Sequence, residues 1–177
     1  MKFKLLFILL IIPTLTNAQK SSYLKNRITL DVSYVRMQYK IVSEYKEKKN
    51  GVSLSANYGL TKFMESGFYY YKYNAAFNSL NFAGIQNRFH VLPFLIESNN
   101  RYFRLDAYVF NQTGLFFSKS NYHSSHTLNS DIGIGSTFYI SRNIGINLEY
   151  KWGFLLSKHV ENHNFQNGLK LGLNFKF

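Results

Sequence analysis

The chain of 177 residues contains no cysteine. That excludes a disulfide scaffold, a thiolate metal site, a cysteine nucleophile and a lipid-modified N-terminal cysteine. Proline is nearly as scarce, at two residues, and nine Asp and Glu stand against 21 Lys and Arg. Long apolar runs are missing too. The stretch Leu5 to Ile12 would span only about 12 Å as a helix, at ~1.5 Å per residue, against a hydrocarbon core of ~30 Å. A bundle of membrane helices is therefore excluded. What the chain has in abundance is aromatic: 17 Phe, 14 Tyr and one Trp, a composition that favours β-structure and argues against disorder.

The N-terminus reads as an address. Lys2 and Lys4 precede the apolar run, Pro13 breaks it, and Thr14 to Ala18 supplies a small-residue cleavage site after Ala18. Residues 1–18 are expected to be a cleaved secretory signal peptide and residues 19–177 a single domain. Cleavage removes two bases and no acid, so the net charge falls from +12 to +10.

No later segment sustains a 3.6-residue apolar period, whereas period-two alternation recurs throughout. Leu169, Leu171, Leu173, Phe175 and Phe177 point one way, and Lys170, Gly172, Asn174 and Lys176 the other. Ile144, Ile146, Leu148, Tyr150, Trp152 and Phe154 repeat the scheme against Gly145, Asn147, Glu149, Lys151 and Gly153. A helix would scatter these charges around its circumference. The pattern predicts strands near 27–41, 51–60, 63–73, 82–94, 101–117, 128–140, 144–157 and 165–177. Tight turns at 61–62, 97–100 and 141–143 alternate with longer polar connections at 42–50, 74–81, 118–127 and 158–164. In strand one the apolar face slips from Ile28, Leu30, Val32 and Tyr34 to Met37, Tyr39 and Ile41, which suggests a bulge near Val35 or Arg36. Pro93 suggests an early end or a bulge in strand four. A ten-stranded variant, with extra pairing from residues 118–127, remains an alternative.

Alternation alone does not say which face is inside. The polar face mixes Gly59, Gly67, Gly133, Gly135, Gly145, Gly153 and Gly172 with Asp31, Glu65, Arg88, Arg104, Asp106, Asp131, Glu149, Lys151 and Lys170. Glycines exposed on a soluble barrel weaken strands for no packing reason, but inside a narrow barrel they make room for long neighbours. Tyr69, Tyr108, Phe110 and Tyr139 can supply the remaining filler. Within lipid every backbone group must be paired, so the β solution is closed. The expected fold is all-β: an eight-stranded antiparallel up-and-down transmembrane β-barrel with a plugged polar lumen. Girdle candidates are Tyr58, Phe103, Phe138 and Phe177 near the short turns, and Tyr39, Tyr70, Phe117 and Trp152 near the long loops.

On these residues the chain resembles the eight-stranded outer-membrane β-barrel proteins of the OmpX and OmpA-barrel type. Its ending, Phe177 with Phe175, Leu173, Leu171 and Leu169 at alternate positions behind it, is similar to the signal read by the barrel assembly machinery in that family. The resemblance implies an integral outer-membrane protein with periplasmic termini and surface loops; because the sequence stops at the last strand, no OmpA-type peptidoglycan-binding domain is expected. It does not imply one activity, since the family holds adhesins, immune-evasion proteins, lipid A enzymes and structural anchors.

Candidate chemistry is sparse. Arg88, Arg104, Asp106, Glu149, Lys151 and Lys170 are expected to form a lumen charge network, because buried charges must be paired. His123, His126, His159 and His163 fall on two loops that meet at the outer rim and have metal-ligand chemistry, yet no regular element fixes them, and the commoner role is solvated surface. Ser120, Ser124 and Ser125 beside His123 and His126 invite the alternative of a lipid A-modifying hydrolase. A loop tip, however, lacks the rigid base and orienter that a nucleophile needs. No cofactor is indicated. Lys40, Lys46, Lys48, Lys49, Lys72, Lys119 and Lys158 cluster at the loop end and suit outer-leaflet lipopolysaccharide. Nothing in the sequence reads as a nucleic-acid recognition motif. The reading is a non-enzymatic barrel whose loops serve adhesion, binding or envelope stabilisation. A soluble lipocalin-like carrier, with the apolar face inside, is the third possibility.

Overall fold

The computed structural model describes residues 24–42, 45–74, 79–91, 104–119, 124–156 and 165–177. The eight strands are β1 (Ile28–Val42), β2 (Tyr45–Gly59), β3 (Met64–Asn74), β4 (Ser79–His90), β5 (Leu105–Lys119), β6 (Ser124–Tyr139), β7 (Ile144–Leu156) and β8 (Phe165–Lys176). Each pairs antiparallel with its successor, and β8 returns to β1 to close the barrel. The closing ladder runs from Thr29 opposite Lys176 to Tyr39 opposite Gln166, so no edge is left to pair with another chain.

The period-two pattern translates directly into two surfaces. Val32, Leu54, Ile132, Leu148 and Leu171 project outward, and Phe68 is the most exposed of the large apolar residues, at 71 %. Alternate residues of the same strands are buried in the lumen, where polar and charged side chains outnumber apolar ones. This is the reverse of a water-soluble barrel, so the lipocalin-like reading is overturned. The turn between β6 and β7 holds its own geometry. Ile140 N donates to Ile144 O at 2.9 Å, and Ser141 Oγ accepts from the Asn143 and Ile144 amides. Asn143 Nδ2 then ties that turn to the Lys176 carbonyl at 2.6 Å.

Three expectations need correction. The connection placed at 42–50 shrinks to residues 43–44, because β2 begins at Tyr45 and stays paired with β1 up to Val42. Likewise β5 and β6 extend to Lys119 and Ser124, so most of the loop placed at 118–127 is strand. At the other end, β4 stops at His90 and β5 starts at Leu105, which makes the connection longer than the four-residue turn expected at 97–100; Pro93 lies outside the described residues.

The bulge near Val35 is also absent. Val35 pairs with Gly51 and Arg36 with Asn50 in unbroken register, and the irregularity falls instead between Lys40 and Val42. The apolar slip has another cause: Val35 and Met37 face the lumen and Arg36 faces out. The strand keeps its alternation while the two environments exchange polarity toward the loop end. Tyr71 and Tyr73 inside with Lys72 outside repeat the exchange on β3. Its height makes sense of this. A 15-residue strand such as β1, tilted about 40°, rises roughly 38 Å at ~3.3 Å per residue, past an apolar band ~25 Å tall. Beyond the band, water replaces lipid outside, and apolar side chains belong inside.

Candidate functional site: the lumen and the basic exterior

The lumen is built in three tiers, starting at the short-turn end. In the lowest, β3, β4 and β5 bring Glu65, His90 and Asp106 together. His90 Nδ1 lies 2.7 Å from Asp106 Oδ2 and Nε2 lies 3.4 Å from Glu65 Oε2, while Thr29 Oγ1 donates to Glu65 Oε2 at 3.1 Å. Lys176 Nζ sits 4.0 Å from the centroid of the Tyr139 ring, a favourable cation–π placement.

The middle tier is centred on Arg88 of β4, a side chain 2 % exposed. Its Nη2 reaches Asp31 of β1 and Glu149 of β7, both at 2.7 Å, and Nη1 lies 3.9 Å from Glu65. The guanidinium also stands 5.0 Å from the Tyr108 ring centroid, and Tyr108 OH donates to Glu149 at 2.8 Å. Lys170 Nζ takes the other Glu149 oxygen at 3.0 Å, and Asp31 accepts from Ser55 and Asn174 at 2.7 and 2.8 Å. Each carboxylate is thus paired and hydrogen-bonded, the condition under which charge persists in a low-dielectric interior.

In the upper tier the charge gives way to aromatic packing. Lys151 Nζ pairs with Asp131 at 2.5 Å and stands 4.1 Å below the Tyr71 ring centroid. Above it Val35, Met37, Tyr69, Tyr71, Tyr73, Leu80 and Phe82 form one buried cluster, with Phe116 packed against it. Tyr71 OH and Gln112 exchange hydrogen bonds at its base, and Gln112 passes the chain on to Gln86.

The lumen residues expected from the sequence divide accordingly. Arg88, Glu149 and Lys170 share one network, Lys151 belongs to the tier above, and Asp106 to the tier below. Arg104 does not join them. It directly precedes β5, its side chain is exposed, and its carbonyl accepts from the Tyr139 amide at 2.7 Å. His90 was missed, although its alternation with Arg88 and Gln86 on β4 carried the signal. Asp31, Glu65 and Asp131 were legible as polar-face residues but not as partners. Tyr69, Tyr108, Phe110 and Tyr139 are all buried.

Of the histidine cluster, His123, His159 and His163 lie outside the described residues, and His126 is an exposed residue of β6 rather than a loop residue. Ser124 and Ser125 are likewise in β6, while Ser120 lies outside the described residues. Among the described residues no three acids and imidazoles come together as a metal site.

Charge is sorted by surface. The buried set contains five acids (Asp31, Glu65, Asp106, Asp131, Glu149) and five bases (Lys49, Arg88, Lys151, Lys170, Lys176), so the lumen is balanced apart from His90. Every acid whose side chain is described is in that set. The outside is therefore basic: Lys25, Lys62, Arg104 and Arg142 near the turns, and Arg36, Lys48 and Lys72 toward the loops. Lys49, expected among the surface lysines, faces inward because the extension of β2 sets its parity. Lys40, Lys46 and Lys119 lie on strands, and Lys158 lies outside the described residues.

No family model matches the sequence, and no curated relative matches it. Solved structures do. Neisserial surface protein A superposes with a TM-score of 0.68 at 12 % identity, covering 85 % of this chain and 97 % of that one. This chain has the fold of the eight-stranded outer-membrane barrels. The N-terminal β-barrel domain of Pseudomonas aeruginosa OprF matches with a TM-score of 0.58 at 17 % identity, over 86 % and 98 % of the two chains. Ail, the attachment invasion locus protein of Yersinia pestis, matches at 0.58 and 14 %, over 87 % and 100 %. Identities this low carry the architecture alone.

Proposed function

We propose that the chain is an integral outer-membrane protein that works without catalysis, as a plugged barrel that binds anionic envelope or surface ligands through its basic exterior. The observation that supports this reading is the sorting of charge. An apolar belt faces outward, the acids with described side chains are consumed in a charge-balanced lumen, and the net charge of +10 that remains after cleavage is left for surfaces that meet headgroups and solvent. Residues 1–18 act as the export signal, and the termini and short turns sit in the periplasm. Arg36, Lys48 and Lys72 then stand near the outer-leaflet boundary, where phosphates of lipopolysaccharide offer counter-charge worth roughly 1 kcal/mol per basic side chain near an anionic surface. One of the structural neighbours, Ail, has been captured with the heparin analogue sucrose octasulfate, which is consistent with polyanion binding on this scaffold. The series from Leu169 to Phe177 serves as the signal to the barrel assembly machinery.

Fractionation joined to unboiled and boiled SDS gels tests the embedding. The protein is expected in the outer membrane with a band that shifts on heating, and a soluble periplasmic chain with no shift would sink the reading. Arg36→Glu with Lys48→Glu and Lys72→Glu tests the binding. Retention on immobilised lipopolysaccharide or a sulfated polysaccharide should fall at least tenfold while the heat shift persists. Altered lipid A masses on overexpression would overturn the non-enzymatic assignment.

A further inference from the structure

The lipid-facing surface is not uniform. On β7, β8, β1 and β2 the outward residues of the belt are apolar, among them Leu148, Leu171, Val32 and Leu54. On the opposite side three polar residues stand shoulder to shoulder: Ser66 of β3 pairs with Asn87 of β4, and Asn87 pairs with Asn111 of β5. Asn111 is exposed, and Ser66 and Asn87 are half-buried. The row lies inside the apolar band. Outward from Asn111, Val109 and Leu105 follow on the turn side, and Thr113, Leu115 and Phe117 on the loop side, all exposed. Around the two amides the surface is concave, a hollow of about 250 Å³ bordered by Met64, Phe89, Val109 and Ile132.

Acyl chains offer no hydrogen-bond partner, so an outward amide at this depth is costly unless another polar group meets it. We propose that the β3–β5 face is the contact between two copies of this chain, joined across a two-fold axis along the membrane normal. An amide carries both donor and acceptor, so Asn87 and Asn111 are self-complementary, as an isologous interface requires. The axis places Asn111 and its own copy at the same depth, which a headgroup or a soluble partner does not reach. Polar side chains hold transmembrane segments together in the same way elsewhere. The inference rests on the lipid-embedded barrel, and its test reads that embedding separately.

The absence of cysteine makes the test clean. Val109→Cys and Thr113→Cys each place one thiol beside the row, and Leu171→Cys places one on the opposite face. Outer membranes are oxidised with a copper–phenanthroline complex and run without reductant, with heat-modifiability scored on the same samples. One or both β5 thiols should give a disulfide-linked dimer at least fivefold more abundant than Leu171→Cys gives. Adding Asn87→Leu and Asn111→Leu should reduce that dimer at least fivefold while the heat shift remains. Equal linking on both faces, as random collision produces, overturns the proposal. So does a dimer indifferent to the Asn changes, or none at all with the heat shift intact, the result expected if lipid fills the hollow.

Discussion

Arg88 is the residue on which the lumen most depends. Its guanidinium faces three carboxylates and a ring, so removing it takes the paired cation from Asp31 and leaves Glu149 with Lys170 alone in a low-dielectric interior. Arg88→Met should destabilise the barrel by about 3–5 kcal/mol, the usual cost of breaking a buried pair, read from urea unfolding in lipid vesicles. Arg104→Ala, in the exposed turn, should stay within roughly 0.5 kcal/mol. Glycine matters here for close approach. A Cβ on Gly133 would meet the Tyr150 carbonyl oxygen and, at 2.5 Å, the Phe110 ring, and one on Gly135 would collide with the Tyr108 ring; each ring lies on the glycine directly opposite it on β6. Gly133→Val should cost about 1–3 kcal/mol by overpacking. Pairing it with Phe110→Ala should recover part of that loss in the same unfolding measurement. That these glycines make room inside and that Tyr108 and Phe110 point inward was legible in the alternation; which ring lies on which glycine was not, because that needs the register and alternation fixes only the face.

At the scale of the strands, legibility followed how strongly the surroundings constrain each residue. Lipid against one face and a packed lumen against the other impose opposite polarity at period two, so all eight strands and the facing of β7 and β8 were readable. Where that contrast ends, the reading failed. Lys46, Lys48 and Lys49 resemble a loop because charge appears on both faces, yet the backbone of β2 continues through them with Lys49 turned inward. Val35 and Met37 looked like a bulge for the same reason. Single residues at strand ends were misjudged by parity, as Arg104 shows, since alternation does not reveal where the ladder begins. The belt itself makes a depth-dependent forecast. Leu171→Arg should cost about 2–4 kcal/mol in lipid, against little for Lys48→Arg outside the band, measured as the shift in the urea midpoint of folded, heat-modifiable protein. Removal of Phe177 tests the assembly signal. The heat-shifted fraction in outer membranes should fall severalfold, while the purified variant still refolds in detergent micelles.

For the whole molecule, the plugged lumen proposed above predicts that nothing sizeable passes through. Eight strands enclose a space just wide enough to be filled by side chains, and here Arg88, Tyr71 and Phe82 lie across it with almost no exposure. Planar bilayers holding the purified protein should show no steady conductance above the lipid baseline, and step openings of porin size would contradict the plugged lumen. The same arrangement fixes when the middle tier can form. Arg88 bonds Glu149 from 61 residues away, and Asn174 donates to Asp31 from 143 residues away, across the β8–β1 seam. The Asn174–Asp31 contact needs the two terminal strands to have met, so it is expected to add little to the rate of folding and to act on the rate of coming apart. The network is a latch that engages after closure, and the lifetime of the folded barrel, more than its speed of formation, is what these buried charges set.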